Sequence, residues 1–168
     1  MKTKDMVTES SAQKEQSKLK MVAAVRHVDD KLYDDATIFE QKAEEMGIAL
    51  RKIIPKNLKA AVYCSQVKRA QDTASGIAKA LGAEVIIVRD LCHDYYSERG
   101  LTTDALLRHC DGSVDAAVVV THHEMPSGIV DILLSRKFGK NFESRTCKKG
   151  DGYFIDLQTG ELKTSLFS

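Results

Sequence analysis

Three stretches far apart in the chain end apolar runs in basic or hydroxyl side chains. Arg26-His27 follows Met21 to Val25, Ser65 leads to Arg69 after Ala60 to Cys64, and Thr121-His122-His123 follows Ala116 to Val120. A guanidinium is a planar fork of donors that matches phosphate oxygens and stays charged at any relevant pH. A neutral imidazole carries a nucleophilic nitrogen near pH 7, and a second imidazole can donate hydrogen bonds. Brought to one place, these groups could hold a tetrahedral oxyanion while one histidine attacks it. Phosphoryl transfer asks for little beyond alignment and charge stabilisation.

The elements needed to bring them together are legible. Apolar runs of five or so residues suit strands covered on both faces, which predicts strands over 21–25, 60–64, 84–88 and 116–120. Phe39, Ala43, Met46, Leu50 and Ile54 recur at three-to-four spacing, as do Ala70, Ala74, Ile77 and Leu81, which predicts helices from Ile38 to Pro55 and from near Val67 to Gly82. Further helices are expected over 103–110, capped by Thr102 or Thr103, and over 127–136. The runs 153–157 and 161–166 flank Gln158-Thr159-Gly160 as a closing hairpin. Strands alternating with helices imply a three-layer α/β/α fold with a mostly parallel central sheet. In such sheets ligands bind beyond the carboxyl ends of the strands, where the basic residues lie. The N-terminus of the helix opening near Val67 adds a dipole favourable to an anion at that rim.

Composition sets the limits. The 168 residues suit one domain, expected over 19–168 and preceded by a flexible tail over 1–18 that lacks apolar periodicity. The 25 Lys and Arg balance 24 Asp and Glu, so nothing chain-wide draws the protein to nucleic acid, and anion binding must be local. No apolar run approaches the roughly 20 residues of a membrane helix. The first 20 residues carry no apolar core of a secretory signal, and Cys64, Cys92, Cys110 and Cys147 are scattered, which points to reduced thiols and a cytoplasmic location.

The residues Val25-Arg26-His27-Val28-Asp29 resemble the strand-end Arg-His-Gly signature of the histidine phosphatase superfamily, the phosphoglycerate-mutase-like group. Ser65-Gln66-Val67-Lys68-Arg69-Ala70-Gln71-Asp72-Thr73-Ala74 resembles its Ser-x-x-x-Arg-Ala-x-x-Thr-Ala helix start, and Val118 to His123 its apolar strand running into Gly-His-Asn. Glu44-Glu45-Met46-Gly47 falls in a helix of the matching place and character. The resemblance spans most of 20–160 and is nearest to the short phosphohistidine-phosphatase-like members. It implies a phosphatase in which His27 becomes a phosphohistidine, Arg26, Arg69 and His122 contact the phosphoryl oxygens, Ser65 and His123 complete the substrate site, and no metal or organic cofactor is called for. The substrate would be a phosphorylated protein or a small phosphorylated metabolite.

The chain departs from that pattern at three places. Val28 stands where the family has glycine, His123 where it has asparagine, and a proton donor for the leaving group can be drawn only from His93, Asp94 or Glu98. Val28 favours a second reading, a binding module for phosphate or phosphoprotein that keeps the clamp and has lost turnover. A metal site around His122 and His123 is disfavoured, because adjacent residues on an extended chain point to opposite sides. Cys64 precedes Arg69 without a glycine-rich phosphate loop between them and reads as a core thiol. His93 and His109 read as ordinary histidines, and Asp29, Asp30, Asp34, Asp35, Lys148 and Lys149 as solvated charges. With few elements beyond the core, the site is expected to be rather open.

Overall fold

A computed structural model of the chain describes residues 19–91, 99–110, 112–143 and 146–167. The expected tail over 1–18 and the three proton-donor candidates His93, Asp94 and Glu98 lie outside the described residues. Six strands form one sheet: β1 (Met21–Arg26), β2 (Ala60–Cys64), β3 (Glu84–Ile87), β4 (Ala116–Thr121), β5 (Gly152–Asp156) and β6 (Leu162–Lys163). Their spatial order is β3-β2-β4-β1-β5-β6. The first four run parallel, whereas β5 pairs antiparallel with β1 and β6 with β5, which gives the expected mostly parallel sheet with a C-terminal hairpin. Every residue of β1 and β4 is buried, as continuous apolar strands require.

Among the described residues, four α-helices cover the two faces: α1 (Ala36–Ile53), α2 (Lys68–Leu81), α3 (Arg99–Cys110) and α4 (Met125–Phe138). Alternation along the strands sorts the core into two halves. Ala23 and Val25 of β1, with Val118 and Val120 of β4, pack against Phe39 and Leu50 of α1 and Ile77 of α2. Val22, Ala24, Ala117 and Val119 pack on the other face against Leu106 of α3 and Ile129 of α4. Among the described residues, no helix is long and apolar enough to cross a membrane.

The helix expected from Ile38 starts two residues earlier because Asp35 caps it, one carboxylate oxygen accepting from the Thr37 and Ile38 amides at 3.1 and 3.3 Å. The acidic run is therefore partly structural: Asp29 likewise caps a 3-10 turn over Asp30–Asp34. The expected cap at Thr102 or Thr103 is a correction. Helix α3 begins at Arg99, and both threonines are fully buried inside it. Two adjacent β-branched polar residues look like a helix start in sequence, but burial against the sheet keeps them helical.

Helices α1 and α2 meet where two glycines leave room. A Cβ on Gly76 would lie 2.4 Å from the Ala43 Cβ, and one on Gly47 would lie 2.6 Å from that of Ala80. This contact seats α2 on the sheet, so it also fixes the position of the α2 N-terminus. Gly76→Ala is expected to cost about 1–3 kcal/mol through overpacking, measured as a lower denaturation midpoint with an unchanged slope.

Candidate active site

The β1–β4 register builds the centre. Val25 pairs with Val120 and Arg26 with Thr121, so the next residue on each strand, His27 and His122, emerges at the same level. Side chains alternate faces along a strand, which sends both imidazoles to the α1–α2 side and Arg26 and Thr121 to the other. The two rings stand 5.2 Å apart, centroid to centroid, tilted by 55°. Each residue is 2% exposed.

His27 is held at both nitrogens. Nδ1 lies 2.8 Å from the Val28 carbonyl, which can only accept, so Nδ1 carries the proton. Nε2 accepts from Arg69 Nε at 3.0 Å, which requires the lone pair to be there. Both contacts select the same tautomer. Burial pulls the His27 pKa down to about 4. The bond to the Val28 carbonyl opposes that fall, while the Arg69 and then the Arg26 guanidinium reinforce it. The imidazole is neutral at pH 7 with Nε2 as its basic atom.

Arg69 sits in the first turn of α2, on the helix layer that covers the histidine face. No side chain caps that helix at Val67, and the positive end of the helix dipole faces the rim. Ser65, fully buried, shares a 2.7 Å hydrogen bond with His122 Nε2. Arg26, on the opposite face, donates to the Cys147 carbonyl at 2.7 Å and approaches His123 Nδ1 at 3.4 Å. Its Nε is buried with no partner. The carboxyl end of β1 is closed by the loop before β5, where the Gly150 amide donates to the His27 carbonyl at 2.8 Å. At Gly152 the strands approach so closely that a Cβ would lie 2.6 Å from the Ala24 carbonyl oxygen.

The structure therefore brings together two hydrogen-bonded pairs, His27 with Arg69 and His122 with Ser65, whose imidazoles stand side by side, and Arg26 and His123 approach each other beside them. His122 and His123 engage different partners. Val28 stays out of the left-handed region, the only non-glycine residues there being His123 and Ser165 among those described. The Val28 side chain packs into the core beside Phe39 and Met46. His123, at φ 48°, occupies a conformation that asparagine and histidine tolerate better than most residues, so the replacement of the family's asparagine is conformationally mild. Cys64 is a buried thiol pushed up to about 11 by burial.

Two expectations need correction. Lys149 is not simply solvated: it pairs with Asp30 at 3.0 Å and Asp29 at 3.5 Å, and this pairing holds the Asp30 carboxyl below its usual range. The centre is also less open than expected. Its imidazoles hang from strand ends inside the sheet, and Arg69 lies over Nε2, so an entering group must draw that guanidinium aside. Sequence reading missed the part of the Cys147 carbonyl, for which no side-chain pattern gives a signal. It also assigned nothing to Thr73, although that residue lies four positions after Arg69 within the quoted motif.

A family model described as the histidine phosphatase superfamily (branch 1) matches residues 40–131, more than half of the chain. That segment holds Ser65, Arg69 and His122 but starts after His27, which joins them through the β1–β4 register. No curated protein matches by sequence. Among solved structures, a phosphoglycerate mutase from Plasmodium falciparum is 17% identical with a TM-score of 0.56, covering 86% of this chain and 87% of that one. A protein described as the phosphohistidine phosphatase SixA of Agrobacterium tumefaciens is 14% identical at a TM-score of 0.55, covering 86% and 94%. A mycobacterial glucosyl-3-phosphoglycerate phosphatase is 11% identical at 0.53, covering 86% and 96%. At these identities the likeness is one of fold.

Because the folded state resists protonating His27 until about pH 4 while the unfolded chain protonates it near 6.5, the unfolded state binds more protons between those values. Stability is expected to fall as pH drops through that window, and His27→Gln should remove part of this dependence. Urea midpoints for both proteins from pH 7 to pH 4 measure it.

Proposed function

The chain belongs to the histidine phosphatase superfamily, and from that premise we propose that it is a metal-independent phosphatase acting through a phosphohistidine at His27. The observation that carries this reading is the two-sided hold on that ring: Nδ1–H is committed to the Val28 carbonyl, and the Nε2 lone pair faces Arg69 beside His122.

In the first step the Nε2 lone pair attacks phosphorus. The bond to the leaving group breaks, and that group departs with the electron pair and takes up a proton. In the second, water attacks the phosphohistidine, the P–N bond breaks, the pair returns to Nε2 and phosphate leaves. Arg69 stabilises the equatorial oxygens, with Arg26 and His122 alongside; the orphaned Arg26 Nε is a donor in want of an acceptor. Charge stabilisation of this kind supplies most of the catalysis in phosphoryl transfer. Ser65 orients His122, and His123 supports Arg26.

The substrate class is a phosphomonoester or phosphohistidine, carried by a protein or a small metabolite. Lys149 holds the Asp30 carboxyl below its usual range, and the imidazole leaving group of a phosphohistidine needs less help from a proton donor than an alkoxide does. The alternative, a binding module without turnover, drew its support from Val28, whose side chain packs into the core beside Phe39 and Met46; turnover is what separates the two readings.

Acid-quenched protein after incubation with a labelled phosphodonor is expected to carry an acid-labile, alkali-stable phosphate on His27. His27→Ala should abolish both label and hydrolysis of an aryl phosphate, and Arg69→Ala should lower kcat by about 10²–10³. Vanadate binding without turnover would establish the binding module instead. Chelator should leave the rate unchanged.

A further inference from the structure

We infer that Thr73 is a positioning residue for His27 and Arg69, its hydroxyl forming the clasp that joins the strand bearing the nucleophile to the helix bearing the clamp. The inference rests on the role proposed for His27 and deepens it. Thr73 lies one turn into α2, fully buried. Its Oγ1 accepts from the Val28 amide at 3.0 Å and its hydroxyl proton is donated to the Arg69 carbonyl at 2.7 Å. Because the Val28 amide can only donate, the hydroxyl proton is free for Arg69, so one atom serves both elements with both of its capacities.

Each end of this clasp matters to the imidazole. The Val28 amide is in the peptide directly after His27, and the Val28 carbonyl is the acceptor that fixes the proton on Nδ1. The Arg69 carbonyl belongs to the residue whose Nε meets Nε2. Among the described hydrogen bonds, none other links the backbone at 27–29 to α2. A hydroxyl in mid-helix that bonds back four residues gains little for helix stability on its own. Its use here is the second bond, across to the strand. Loosening it frees the peptide that sets the tautomer and lets the first turn of α2 drift, and small displacements of a nucleophile cost large factors in rate.

The comparison of Thr73→Ser with Thr73→Ala isolates the hydroxyl, since both lose the methyl and only alanine loses Oγ. In histidine labelled with 15N, the wild type and the serine variant should show His27 with a protonated Nδ1 and an unprotonated Nε2, whereas the alanine variant should show mixed tautomers. With an aryl phosphate, alanine should lower kcat by about 10–100-fold while KM rises no more than about threefold, and serine should recover most of the loss. A His27 tautomer in the alanine variant identical to that of the wild type would overturn the inference, as would serine and alanine variants equally impaired. The tautomer is read without turnover, so a wild-type protein that hydrolyses nothing would defeat the proposed function while leaving this test intact.

Discussion

The parallel register between β1 and β4 is the constraint on which the site depends. With Arg26 opposite Thr121, the residues that follow are two histidines at one level on one face. A slip of one residue on either strand would send one imidazole to the α3–α4 side and leave the other alone. What prevents the slip is the apolar content of the strands themselves. Val25, Val118 and Val120 fit one core and Val22, Val119 and Ala117 the other, so register and burial are the same choice. The Gly76–Ala43 contact then seats α2 over the histidine face and delivers Arg69 to it.

Burial and cationic surroundings act in the same direction on His27. Each alone would disfavour an imidazolium, and together they keep the imidazole neutral far below its ordinary titration range. Arg26 shows how the fold tolerates a guanidinium that is 9% exposed: it donates to the Cys147 carbonyl and approaches His123 Nδ1. Its side-chain partners among the described residues include no carboxylate, so its positive charge acts on His27. A dianion would relieve it. Asp29 and Asp30, which follow His27 closely in the chain, are paired with Lys149 and so do little to repel an anion at the rim.

Much of this was legible in the sequence because it follows from short-range rules. Apolar runs gave β1, β2 and β4 to within a residue, and the basic residues after them predicted where chemistry could gather. The α2 start was visible through Ala70, Ala74 and Ile77, closed by Gly82. What was not legible depends on contacts between segments. The Cys147 carbonyl that holds Arg26 and the Lys149 ammonium that pairs with Asp30 come from a loop with no periodic signal. The two threonines of α3 misled because intrinsic preference, a few tenths of a kcal/mol per residue, yields to burial. At Val28, where the family has glycine, the chain does not need a left-handed residue, and the valine fills core volume.

The contact between Arg69 and His27 follows from the cost of unpaired polar groups. A buried lone pair and a buried N–H each cost free energy if left without a partner. The Arg69 Nε to His27 Nε2 contact satisfies both. A phosphoryl group offers oxygens that are better acceptors for a guanidinium than a neutral nitrogen is. Its arrival would therefore draw Arg69 onto oxygen and free the Nε2 lone pair by the same displacement. The Nδ1–H bond to the Val28 carbonyl takes no part in that exchange. On the role proposed for His27, the contact that covers Nε2 is the one a phosphoryl group would replace, and the ring needs no change of proton to meet it.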